Sequence, residues 1–157
     1  MKMAIIVHSL RERMEIMDYM KEFFRGDFLA RHLGIELLEV SAGKARAKMP
    51  LREFHKNSLG SVHGGAIFSL ADFVFAAASN SHGRLAVAIS AHISYLKALE
   101  KGTLYAEAKE SSLGPKLATY EIEITDDDEN LIAVFHGMVY RKKQEIDFEK
   151  GTIGLPG

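Results

Sequence analysis

Apolar and polar positions along this chain change period from block to block, and the periods predict its elements. Between Leu10 and Phe24, charged residues are interspersed with Met14, Ile16, Met17, Tyr19, Met20, Phe23 and Phe24 at helical spacing, which predicts an amphipathic helix stopped at Gly26. Its methionine-rich stripe reads as packing surface before it reads as a ligand lid. Gly34 to Val40 and Lys44 to Met49 read as two strands around "SAGK"; the second alternates Lys44, Arg46 and Lys48 with Ala45, Ala47 and Met49, and Pro50 stops it. Residues 51–62 read as a loop. The next stretch, "HGGAIFSLADFVFAAAS" from His63 to Ser79, is apolar or small almost throughout and predicts a helix without a polar face. Leu85 to Leu96, Thr103 to Ser111, Leu117 to Thr125 and Leu131 to Arg141 follow as strands, with "LGPK" and "DDDEN" as turns between the last three.

One long helix among about six strands, with a further helix in front, gives an α+β fold. Short turns link most of the later strands, so they should be largely antiparallel. A helix apolar on every side must be covered on every side. One sheet covers one side, and the chain supplies no further long helix. The expectation is therefore a sheet curled around the helix, with a second copy of the molecule completing the burial. No linker, repeat or low-complexity segment interrupts the sequence, so residues 1–157 read as one domain. Residues 1–27 form an N-terminal helical extension and residues 143–157 a C-terminal tail.

Composition narrows the classes of function. Twenty basic against 21 acidic residues, a formal net charge of −1, leave no footprint for nucleic acid or an anionic membrane surface. Cysteine is absent, which excludes disulfides, thiolate metal sites and a cysteine nucleophile. The apolar run Met3 to Val7 is too short for a signal-peptide core, and no stretch approaches the length that spans a bilayer, so a cytoplasmic protein is expected. Seven histidines occur, yet none shows HxxxH or HExxH spacing, and "DDDEN" lacks the spaced acids and glycine of a calcium loop. No nucleophile elbow, phosphate loop or dinucleotide fingerprint is present.

The candidate chemistry lies in the apolar helix. Asp72 sits in its middle, with Phe68, Ser69, Phe75 and Ala76 one turn to either side, so no cation of the helix itself neutralises the carboxylate. An N-cap role does not fit a position two turns inside a helix. A hydrogen bond to a buried backbone group is the plainer alternative to a functional carboxylate. At the helix start, Gly64 and Gly65 leave backbone N–H groups unobstructed at the positive end of the macrodipole, a place suited to a developing oxyanion. Equally, the two glycines could simply shape the turn. Eight residues separate Gly64 from Asp72, ~12 Å along the axis, too far for both to act on one carbonyl. Two such helices side by side and antiparallel would bring Asp72 of one copy to Gly64 of the other. Ala66, Ser69, Ala76, Ala77 and Ala78 would let the helices approach closely.

The stretch "NSLGSVHGGAIFSLADFVF", Asn57 to Phe75, resembles the motif N-x-x-G-x-x-H-G-G-x-x-F-x-L-A-D of PaaI-like hotdog acyl-CoA thioesterases, matching at Asn57, Gly60, His63, Gly64, Gly65, Phe68, Leu70, Ala71 and Asp72. "HISYLKA", residues 92–98, is similar to the long strand that follows in that family. The resemblance covers roughly residues 28–142. It implies a hotdog fold: a long central helix wrapped by a curved antiparallel sheet, dimeric and often paired again into a tetramer. It further implies hydrolysis of a coenzyme A thioester without any cofactor. Under it, Asp72 is the catalytic carboxylate, base or nucleophile, Gly64 N–H meets the thioester carbonyl, and Asn57 and His63 line the same cleft.

Related enzymes carry Ser or Thr on the long strand to hold the attacking water. Here Ala88 stands at that place, with Ser90 two residues on and expected on the same side. Lys97, Lys116 and Arg141 are candidates for the phosphates of coenzyme A, although each also reads as an ordinary solvated charge. Phe68 and Phe73 are candidates for the acyl pocket, with core packing as the plainer role. Two rivals stand beside the thioesterase: a hotdog enoyl-CoA hydratase or dehydratase, and a non-catalytic acyl-CoA-binding module.

Overall fold

The computed structural model describes residues 14–147 and, for the backbone, 152–153. Residues 14–23 are helical (α1) and run into a 3-10 turn, Phe24–Gly26. The expected first turn of that helix, residues 10–13, lies outside the described residues, as do 148–151 and 154–157 of the expected tail. A short helix unforeseen in the sequence follows, Phe28–Leu33 (α2); Asp27 caps it by accepting from Ala30 N–H at 2.9 Å, and Gly34 ends it in the left-handed conformation. Six residues are too few for apolar periodicity to reveal.

Six strands form one antiparallel sheet: Glu36–Ser41 (β1), Lys44–Pro50 (β2), Arg84–Tyr95 (β3), Thr103–Leu113 (β4), Leu117–Thr125 (β5) and Leu131–Asp147 (β6). Their spatial order is β1-β2-β4-β5-β6-β3, so β1 and β3 are the edges, and Thr152–Ile153 (β7) adds to the end of β6. The expected α+β architecture is thus present. β6 continues six residues past the expected end at Arg141, taking 143–147 out of the expected tail: Ile146 is buried and donates its N–H to Gly83 O at 2.8 Å.

The long helix, Gly64–Asn80 (α3), lies against the concave face of the sheet. Period-2 alternation puts Ala45, Ala47, Leu104, Ala106, Ala108, Tyr120, Ile122, Ile124 and Phe135 on that face, all buried. The alanines of β2 and β4 let the helix approach closely. On the other side Phe75 packs edge-on against Tyr120 at 5.6 Å and meets Phe135 at 5.5 Å. Gly137 faces it from β6, where an added Cβ would stand 2.5 Å from Phe75 Cζ. Asn80 closes the helix with both ends of its amide: Nδ2 donates to Ala76 O, and Oδ1 accepts from Ala86 N–H as β3 begins.

α3 is not covered all round. Gly65, Phe68, Ser69, Asp72 and Ala76 form one unburied or half-buried stripe, whereas Ala66, Ala77 and Ala78 are buried against the sheet. Of the small residues expected to permit close helix approach, only Ser69 and Ala76 face outward. The apolar composition concealed this narrow face because its residues are small or aromatic, not charged, apart from Asp72.

Candidate active site

The loop before α3 is built from its own polar groups. Asn57 Oδ1 accepts from Leu59 N–H at 2.9 Å and its Nδ2 donates to Ser61 Oγ at 3.2 Å, while Gly60 takes φ +81. Asn57 is therefore turned into its own loop. Asn57 N–H donates to Ser61 O at 2.8 Å across the loop, and His55, at the loop base, is 1% exposed. His55 Nδ1 accepts from Arg52 N–H at 2.9 Å and Nε2–H donates to Leu33 O at 2.9 Å, which fixes a neutral tautomer. Burial holds its pKa below the ordinary histidine value, against the opposing hydrogen bond to Leu33. His55 O in turn accepts His63 N–H at 2.7 Å and so sets where α3 begins.

His63 is the N-cap: its Nδ1 accepts Gly65 N–H at 2.9 Å. A Cβ on Gly65 would stand 3.1 Å from that nitrogen, so the second glycine makes room for the folded-back ring. His63 O accepts from Ala66 N–H and Ile67 N–H. Gly64 N–H has no acceptor among the described residues, and it points away from the first turn at the positive end of α3. Tyr95, the last residue of β3, lies over Gly64, its Oη donating to Gly64 O at 3.0 Å. Neither His55 nor Tyr95 was singled out from sequence. His55 has no periodic signal inside a loop; Tyr95 could have been found by carrying the alternation of β3 to its end.

Asp72 is exposed on the single chain, on the face of α3 that the expected second copy would cover. The atoms crowding that helix face still remove enough water to raise its carboxyl above the usual carboxylate range, and the like charge of Asp27 adds to the shift. Phe68 is half-buried against Phe135, ring centroids 5.4 Å apart, and Phe73 is buried against Phe24 at 4.7 Å, the core role for the second.

Ser90 does not share a face with Ala88. Ala88 pairs with Val139 and Ser90 with Met138, so a bulge at residue 89 breaks the alternation. Ser90 stands with His92 and His136 on the face away from α3, where the sequence could not place it because a bulge leaves no local signature here. Lys97 follows Tyr95 at the Gly64 end of the sheet, and Lys116 lies at the opposite end beside Arg141 N–H, which donates to its carbonyl at 2.8 Å. Arg141 Nη1 donates to Gly114 O at 2.7 Å and is a turn clamp.

A groove of about 490 Å³ between α1 and β1–β2 is lined by Met14, Met17, Leu38 and Arg46 among others, none of them a candidate. Phe73 alone borders a second one of about 250 Å³. No helix among the described residues is long and apolar enough to cross a membrane, and no group of three metal-ligating side chains occurs among them.

The sequence pattern of the Thioesterase superfamily matches residues 59–133. A protein of Archaeoglobus fulgidus is 42% identical over 139 residues, 87% of this chain and 90% of that protein. The acyl-coenzyme A thioesterase PaaI of Escherichia coli is 36% identical over 119 residues, 75% of this chain and 85% of its own. The structure of the E. coli PaaI protein from the phenylacetic acid degradation operon superposes with a TM-score of 0.81 at 32% identity, covering 86% of this chain and 99% of that one. The TT0310 protein of Thermus thermophilus superposes at 0.70 with 36% identity, over 73% and 97%.

Proposed function

Because this chain belongs to the thioesterase superfamily, as a PaaI-like hotdog member, we propose that it hydrolyses acyl-coenzyme A to free acid and thiol at sites shared between two subunits. One observation carries the reading: Gly64 N–H is left open at the start of α3, and Asp72 is exposed two turns along the same helix. Alone they cannot meet. Laid antiparallel against a second α3 along the stripe Gly65–Ser69–Asp72–Ala76, each Asp72 faces the partner subunit's Gly64. The long edge strand β3 supports the same pairing. Val87 and Ile89 are 37% and 54% exposed on it, an unprotected apolar edge of the kind that chains pair or cover.

In this arrangement Gly64 N–H and the α3 dipole stabilise the oxyanion that forms on the thioester carbonyl, a donor worth about 3 kcal/mol. Asp72 takes the proton of an attacking water; the tetrahedral intermediate then collapses, the C–S bond breaks, and the thiolate leaves with its electron pair. Direct attack by the carboxylate, giving an anhydride that water opens, is the alternative order of events. A raised pKa makes Asp72 a stronger base in either. His63, with Nδ1 committed to the cap, offers only Nε2–H to the cleft. Phe68 beside Asp72 suits an apolar or aromatic acyl group, in keeping with the phenylacetic acid operon of the E. coli relative, and Lys97 suits a phosphate of coenzyme A.

The test is a panel of short, medium, aromatic and phenylacetyl acyl-CoAs with thiol detection. Thiol release by the wild type that is lost in Asp72→Asn, with the same oligomer in both, supports the reading. Hydration of an enoyl-CoA, or binding with no thiol released, would replace it with one of the two rivals.

A further inference from the structure

The peptide between Gly64 and Gly65 is held at both ends by side chains. Its N–H donates to His63 Nδ1 at 2.9 Å, and its C=O accepts from Tyr95 Oη at 3.0 Å. The tyrosine ring also lies against Gly64: a Cβ there would be 3.1 Å from Cζ and 3.2 Å from Oη. Two successive glycines make this the most deformable point of the helix, since neither restricts its own φ and ψ. Gly64 O is an acceptor within the first turn of α3 in any case, so the tyrosine is not needed to satisfy a buried orphan. Nor is the ring core packing, because Tyr95 remains 51% exposed. What the hydroxyl adds is orientation: it fixes the plane on one side of Gly64 Cα while His63 O, accepting from Ala66 N–H, fixes the plane on the other.

We propose that Tyr95 is a positioning residue for the Gly64 N–H, holding the Gly64–Gly65 turn so that this one open donor keeps its aim at the thioester oxygen. The inference rests on the thioesterase reading above. His63 and Tyr95 act as a clamp, one on each end of a single peptide group, and the exposed edge of the Tyr95 ring forms the wall beside the donor. Such a residue serves the oxyanion more than the bound ester, because misdirection of a donor by a fraction of an ångström costs most where charge develops.

Tyr95→Phe keeps the ring and removes the hydroxyl. Expected is a kcat lower by about 10- to 100-fold with KM unchanged, together with faster amide hydrogen exchange at Gly65 and unchanged protection at the core strand residues Ile122 and Ile124. Wild-type kcat and Gly65 exchange in the variant would overturn the inference while leaving the thioesterase intact. So would a loss of protection throughout the sheet, or an effect confined to KM, which would assign Tyr95 to folding or to binding. Absence of thiol release in the wild-type arm would sink the thioesterase reading first, and this inference with it.

Discussion

Asp72 and His55 show how far a single side chain's setting decides its role. A carboxylate whose proton affinity is raised by desolvation and by Asp27 must still be ionised to act as base. The rate should therefore fall as pH drops through that raised pKa, at a higher pH than for an ordinary carboxylate of about 4. A kcat/KM profile across the acid range measures this, and Asp72→Asn should lower kcat by about a thousandfold or more. His55 is inferred to matter for stability instead. The folded site refuses the proton that the unfolded chain takes up below about pH 6.5. Its contribution is full above that pH and lost progressively as pH falls through the depressed folded value. His55→Ala leaves Arg52 N–H and Leu33 O without their partner and should cost about 2–4 kcal/mol by denaturant unfolding. The variant should also show a shallower loss of stability than the wild type as pH falls below about 6.5.

At the scale of elements, α3 is buried on one side and open on the other, and β3 is an edge strand exposed along most of its length. β3 presents Val87 and Ile89 on an unpaired edge, so under the proposed pairing Val87→Lys with Ile89→Lys should leave monomers in sedimentation and abolish turnover, while the monomer keeps its circular dichroism. The long periodic elements were legible in the sequence: the alternation of β2, β4 and β5 named their inner faces, and the apolar run located α3. Three features were not. α2 is too short to carry a period. The bulge at residue 89 reverses the faces of Ser90 and Ala88 without a glycine or proline to announce it. The solvent stripe of α3 is written in Gly65, Ser69 and Ala76, residue types as common in cores as at surfaces. The candidate site was legible as a set of residue types at one spacing; the hydrogen bonds of His55 to Leu33 and of Tyr95 to Gly64 depend on contacts distant in sequence.

For the whole molecule, the proposed site is shared so that neither subunit alone would hold a complete one. Subunit mixing tests this most directly. Gly64→Pro deletes the donor at a helix position whose backbone suits proline, after a residue, His63, already in an extended conformation at φ −64 and ψ 133; the added ring also displaces the exposed Tyr95 side chain, but only in a site that has already lost its donor. Asp72→Asn deletes the base. Each variant alone should be nearly inactive. Unfolded together and refolded at equal amounts, half of the dimers pair one of each, and each such dimer regains one intact site, so activity should return to about a quarter of the wild-type value. Activity no greater than the sum of the separate variants would contradict a site shared between subunits.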